Sequence, residues 1–310
     1  MLFQLDQAHE WKRSKPKQPA ARSQVPIRIS KRDLQVLDFL HRYRISDRPV
    51  IQSLFFGVKN TRWTVGRMKD LYVHGYIERI IRPGQKPAYR LATRGAQMLA
   101  ESRGMTGETI AYWGRGDDKD WHPTRLSPQS VDHMLLGAKL RLIFEQASEK
   151  ARAVVSDWKD QYDLQPTWKT ERVEIKLESK DKHTWEEVPV TPDAAFAITT
   201  DKGKGYFFLE ADRGTERNGR TWQRKVKTYV EYLNSGKFHK KYETGSNAKF
   251  RVLIAAPSVK RAVNIINTAT KFAPQAAELF LATAFSQIND DLLTVPVWVR
   301  GGHTAPQALL

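Results

Sequence analysis

The sequence predicts a mixed α/β protein built as two domains. Three observations carry that expectation. The chain has 310 residues, about twice the ~150 of a typical domain. Its N-terminal third shows three helical patterns and then a basic hairpin, and its second half alternates strand-like runs with amphipathic helices. The expected layout is a flexible basic arm over 1–29, a first domain over 30–103, a linker over 104–128, an α/β domain over 129–300 and a loose tail over 301–310.

Composition narrows the class of partner. A hydrophobic fraction of 40% with 10% aromatic residues suits packed cores rather than a disordered chain. The formal charge of +17 sets up a positive field that favours a polyanion, and each neutralised phosphate releases condensed counterions. Nucleic acid is therefore the expected partner, and the winged-helix order described below makes it DNA, duplex above all. A membrane is not, because no apolar run approaches the ~18 residues of a span and no helix pairs a basic face with a broad apolar one. The chain has no cysteine, which excludes disulfides, thiolate metal sites and cysteine nucleophiles and suits a reducing compartment. "MLFQLDQAHEW" lacks the basic start and apolar core of a signal peptide, so a cytoplasmic location is expected.

The arm carries Lys12, Arg13, Lys15, Lys17, Arg22 and Arg28, with Lys31 and Arg32 just beyond it, and prolines at 16, 19 and 26. It reads equally as a DNA-ordered segment and as a solvated leader. From Ser30 the pattern turns helical. Ser30 with Asp33 three residues on is a capping-box spacing, and Leu34, Leu37 and Leu40 follow at helical intervals. A second short helix is expected over Pro49 to Phe55, with proline in the first turn. In the third, Val65, Met68, Leu71 and Tyr72 form the apolar stripe, Arg62, Arg67 and Lys69 lie off it, and Gly75 supplies the left-handed cap. The hairpin "YIERIIR"–Pro83–Gly84–"KPAYRLA" adds Arg79, Arg82, Lys86 and Arg90, and "ATRGAQMLAES" closes the domain with a helix. Three helices and a basic hairpin are the order of a winged helix, which places its third helix in the major groove and its wing along the phosphates; winged helices also dock proteins.

The second domain opens with a long helix whose His133, Leu136, Leu140, Ile143 and Phe144 share a face; at such a place His133 reads as a core residue. Strand-like runs follow at "ARAVVSDW", "ERVEIKL", "VPVTPDAAFAI" and "GYFFLEAD", then the helix "TWQRKVKTYVEYL", the strand "FRVLIAAP", the helix "VKRAVNIINTATKF" and the strand pair "ELFLATAF" and "LLTVPVWV". Asp193 heads one strand, and Glu210 and Asp212 sit two apart on the next, so a hairpin would bring three carboxylates to one place. Such a cluster suits Mg²⁺ or Mn²⁺ and phosphodiester hydrolysis, with Lys225 at the edge of the following helix positioned to orient water or stabilise charge. The bland alternative is a set of solvated strand-end charges paired with Arg213 or Lys225. Glu171 and Glu174, three apart, face opposite ways on a strand, so at most one could join.

"PDAAFAI", "FFLEADRGTE" and "KVKTYVEYL", with "GYIER…YRLATRGAQML" and His133, resemble the replication-relaxation family of plasmids and conjugative elements over about residues 30–260. The resemblance implies a second domain like the PD-(D/E)XK restriction-endonuclease fold, in which Asp193 matches the first acid and Glu210 the second. Asp212 stands where that motif has lysine, so Lys225 is a migrated lysine or catalysis has been lost. Two functions follow: a DNA-nicking factor of plasmid replication or mobilisation, or a non-catalytic DNA-binding accessory or repressor that recruits a relaxase or motor ATPase. The chain has neither a P-loop nor paired histidines flanking one apolar residue, so it is expected to be neither motor nor relaxase itself.

Overall fold

The computed structural model describes residues 27–82, 84–105, 110, 112, 127–165, 171–179, 182–214 and 219–310. The basic arm up to residue 26, Pro83 and most of the expected linker lie outside them. The chain divides into two compact units, Met1–Lys139 and Leu140–Leu310. The division falls inside the long helix at Pro128–Lys150. Among the described residues no helix is long and apolar enough to cross a membrane.

In the first unit, α1 (Lys31–Tyr43) starts where the sequence placed it. The Ser30 hydroxyl accepts from the Asp33 backbone N–H and the Asp33 carboxylate accepts from that of Ser30, a reciprocal capping box. Strand β1 (Ser46–Asp47) leads into α2 (Arg48–Ile51), which widens into a π-turn at Gln52–Phe56. Then come α3 (Thr61–Val73), strands β2 (Ile77–Ile80) and β3 (Ala88–Leu91), and α4 (Thr93–Ser102). The three strands form an antiparallel sheet in the order β1-β3-β2. Val36, Leu37, Leu40, Met68, Leu71, Ala96 and Leu99 are all buried. Helix α3 buries Thr64 in place of the expected Val65, which is 40% exposed. Threonine is tolerated there because its hydroxyl donates to the Asn60 carbonyl, 2.9 Å away. Gly75, at φ +75°, makes the left-handed turn out of α3. Gly95 is required by contact: a β-carbon there would lie 2.1 Å from the Tyr76 carbonyl oxygen.

Asp33 is 1% exposed and also receives the Arg67 guanidinium of α3, Nε at 2.8 Å and a terminal nitrogen at 2.5 Å. Burial pushes its carboxyl up, but the hydrogen bonds from Arg67 and Ser30 outweigh it and hold the group below its ordinary value.

The second unit is an α/β layer structure. The rest of α5 (Pro128–Lys150) leads to β4 (Val154–Asp160) and the short α6 (Gln161–Leu164). Strands β5 (Arg172–Ser179) and β6 (Lys182–Pro189) form a separate antiparallel ribbon. Next come β7 (Ala194–Thr200), β8 (Gly203–Ala211), α7 (Gly219–Asn234), α8 (Lys237–Tyr242), β9 (Phe250–Ala256), α9 (Val259–Phe272), β10 (Phe280–Ala284) and β11 (Val299–Arg300). The main sheet runs β11-β10-β9-β8-β7-β4, with β8, β9 and β10 mutually parallel and the rest antiparallel. On one face Trp222, Val226 and Tyr229 of α7 and Ile265 and Ile266 of α9 share a cluster with Phe208, Phe250 and Phe280. On the other, the Phe144 ring of α5 meets Trp158, Phe196 and Trp298.

Three expectations are corrected. "VPVTPDAAFAI" is not one strand: β6 ends at Pro189 and β7 begins at Ala194, with Pro192, which has no N–H for a ladder, between them. "LLTVPVWV" is mostly turn and leaves only Val299–Arg300 as strand, because Trp298 turns fully inward and its indole donates to the Leu292 carbonyl. The last ten residues are not loose. Leu309 is 3% exposed, its carbonyl accepts from Arg251 at 2.8 Å, and Gln307 pairs with Trp298.

Asp33→Ala removes both the cap and the partner of Arg67, and we expect it to cost about 2–3 kcal/mol in urea unfolding at neutral pH. Because the Asp33 carboxyl is depressed on folding, its contribution is present above the ordinary value of 3.8 and lost as pH falls below it. The acid-induced loss of stability should accordingly be smaller in Asp33→Asn than in the unsubstituted protein.

Candidate functional site

The β7–β8 hairpin forms as the spacing requires, with Ala194 opposite Leu209. It brings Asp193 beside the end of β8: the Asp193 N–H donates to the Leu209 carbonyl, and its carboxylate accepts from the Ala211 N–H at 2.7 Å. Glu210 is 1% exposed and points at α7. One oxygen accepts from the Tyr229 hydroxyl at 2.5 Å and the other from the Lys225 ammonium at 2.8 Å. Lys225 occupies the helix position that the spacing assigned to it, and its own ammonium lies 5.2 Å from the Trp222 ring centre. Burial pushes the Glu210 carboxyl up, and the Asp193 charge adds to that; Lys225 and Tyr229 act against it. Burial and then the Glu210 charge raise the Tyr229 hydroxyl well above its ordinary value.

Asp212 lies just past the strand end and belongs to a different pair. Its carboxylate accepts from Arg261 of α9 at 2.6 Å and from the Gly214 N–H at 3.0 Å. Among the described residues no group of three or more acidic, histidine or cysteine side chains is placed to hold a metal ion. Of the three acids expected to converge, Asp193 and Glu210 lie together at the end of β8, while Asp212 turns to α9. As placed, both Glu210 oxygens accept from groups inside the protein, Lys225 and Tyr229, and Asp212 accepts from Arg261 of another helix, so an Mg²⁺ or Mn²⁺ at this end of the sheet would have to displace these partners. Glu171, left aside on spacing, pairs with the Tyr232 hydroxyl at 2.7 Å and with Lys241 instead.

The first unit is rich in basic residues. Residues 27–105 hold sixteen lysines and arginines against six acids. Of the predicted contact residues, Arg62 and Lys69 of α3 and Arg79 and Lys86 of the hairpin are exposed. The other three are engaged internally. Arg67 holds Asp33 and the Arg28 carbonyl. Arg82 donates to Asp132 at 2.8 Å. Arg90, only 2% exposed, faces Glu78 across the hairpin and is no phosphate contact as placed. The sequence reading overlooked Trp63, which is 60% exposed on α3 with the Arg32 guanidinium 5.5 Å from its ring centre. A tryptophan off the apolar stripe at the helix start was the available signal.

A basic helical unit with an antiparallel hairpin, followed by an α/β unit holding buried acid–cation pairs, defines a two-part protein of the mixed α/β class. The replication-relaxation family model matches residues 37–247, and the chain belongs to that family. Membership links it to the replication or mobilisation of plasmids and other mobile elements. No curated protein matches the chain.

Lys225→Met should destabilise the second unit by about 2 kcal/mol at neutral pH, since Glu210 would keep only Tyr229 as partner. Removing the cation raises the Glu210 carboxyl further, and a raised acid favours folding at low pH and opposes it as pH climbs. The deficit should therefore shrink as pH is lowered from neutral in urea titrations. A constant deficit would refute the assignment.

Proposed function

We propose that the chain is a DNA-binding accessory protein of plasmid or mobile-element replication, holding duplex DNA on the first unit. The observation that carries this reading is the exposure of Arg62 and Lys69 on α3 and of Arg79 and Lys86 on the β2–β3 hairpin, in a unit with so few acids. Its element order is that of a winged helix, whose third helix enters the major groove while the hairpin lies along phosphates. The occupied carboxylates argue that the second unit is a nuclease-like scaffold without cleavage, available for recruiting a relaxase or motor ATPase.

A second reading, a metal-dependent endonuclease, draws on the grouping of Asp193, Glu210 and Lys225 at one strand end, as the PD-(D/E)XK likeness implies. Incubation of the purified protein with supercoiled DNA in Mg²⁺ or Mn²⁺, against EDTA and against Glu210→Gln, separates the two. We expect binding without nicking; metal-dependent nicking lost in the variant would install the nuclease.

For binding itself, Arg62→Ala combined with Lys69→Ala should lower the slope of log affinity against log salt by about two while leaving the melting temperature unchanged. An unaltered slope would remove α3 from the interface.

A further inference from the structure

Helix α3 turns Thr64, Met68 and Leu71 to the core, and at 100° per residue Gly66 sits almost diametrically opposite them. Arg62 and Lys69 flank Gly66 on one side, Trp63 and Asp70 on the other. A glycine in a helix interior weakens the helix relative to alanine. Nothing inside the unit asks for it: a methyl group there would meet no heavy atom within 4 Å, and its backbone is ordinary helix. What the missing side chain provides is a notch in the outward face, where a partner can approach the helix backbone.

The rim of the notch describes that partner. Lys59, Arg62 and Lys69 are exposed, with no ion-pair partner among the described residues, and Asp70 is the one acid on the face. Trp63 presents a large flat apolar surface, steadied by Arg32 and by the Phe56 ring 5.8 Å away, and Val65 and Val58 lie near it in sequence, 40% and 79% exposed. Cations around an apolar plate match a groove edge bordered by phosphates, where thymine methyl groups are the apolar features.

We propose that the outward face of α3 seats on duplex DNA with the helix backbone in direct contact at Gly66, and that Trp63 packs on thymine methyl groups in the major groove. This rests on the DNA-binding reading and goes further by naming the close-approach position and the base feature read. Affinities of the full chain would be measured by fluorescence anisotropy on an A·T-rich duplex and on its deoxyuridine counterpart, which lacks those methyls. Gly66→Ala should melt a few degrees higher and yet bind the thymine duplex about tenfold more weakly. The unsubstituted protein and Trp63→Phe should prefer thymine over deoxyuridine several-fold, and Trp63→Ala should lose that preference. Undiminished binding by Gly66→Ala, or a thymine preference that survives in Trp63→Ala, overturns the inference while DNA binding stands. Failure of the unsubstituted protein to bind either duplex, with capture of an acidic protein instead, overturns both.

Discussion

A carboxylate taken out of water must be given a cation, a set of donors or a proton, and much of this molecule is arranged around two that were. In the first unit Asp33 closes the start of α1 and, through Arg67, ties that helix to α3. In the second, Glu210 joins the end of β8 to α7 through Lys225 and Tyr229. Each acid links a chain terminus of one element to the side of another. The elements that carry the exposed basic residues and the sheet's central strands are thus set in place by electrostatics as well as by apolar packing.

The same constraint decides what the acids are free to do. A carboxylate whose oxygens are already hydrogen-bonded to an ammonium and a phenol is a poor ligand for a hydrated divalent ion, since binding would have to displace both. Arg261 does for Asp212 what Lys225 does for Glu210. Glu210 and Asp212 take their cations from two different helices, α7 and α9, which is what inclines the proposal toward the accessory reading.

Local signals in the sequence were legible. Ser30 and Asp33, the left-handed Gly75, the β2–β3 hairpin and the β7–β8 hairpin each depend on residues close together in the chain, and each formed where the spacing put it. The fate of the arginines was not legible, because their partners are remote: Asp33 is 34 positions from Arg67, and Asp132 is 50 from Arg82. Arg90 could have been suspected, since the paired register sets it directly against Glu78. The last residues misled for the same reason: a glycine- and proline-bearing end looks loose until Leu309 is seen to be buried and hydrogen-bonded to Leu293 and Arg251.

The parallel arrangement of β8, β9 and β10 bears on how the chain assembles. Strand β8 must wait for residues 212–249 to be made before β9 arrives to cover its edge. Until then Phe207, Phe208 and Leu209 border an unpaired strand edge, a template for another chain. Synthesis therefore passes through an interval in which the basic unit is made while the sheet is half built and the β8 edge stands open to pairing with another chain.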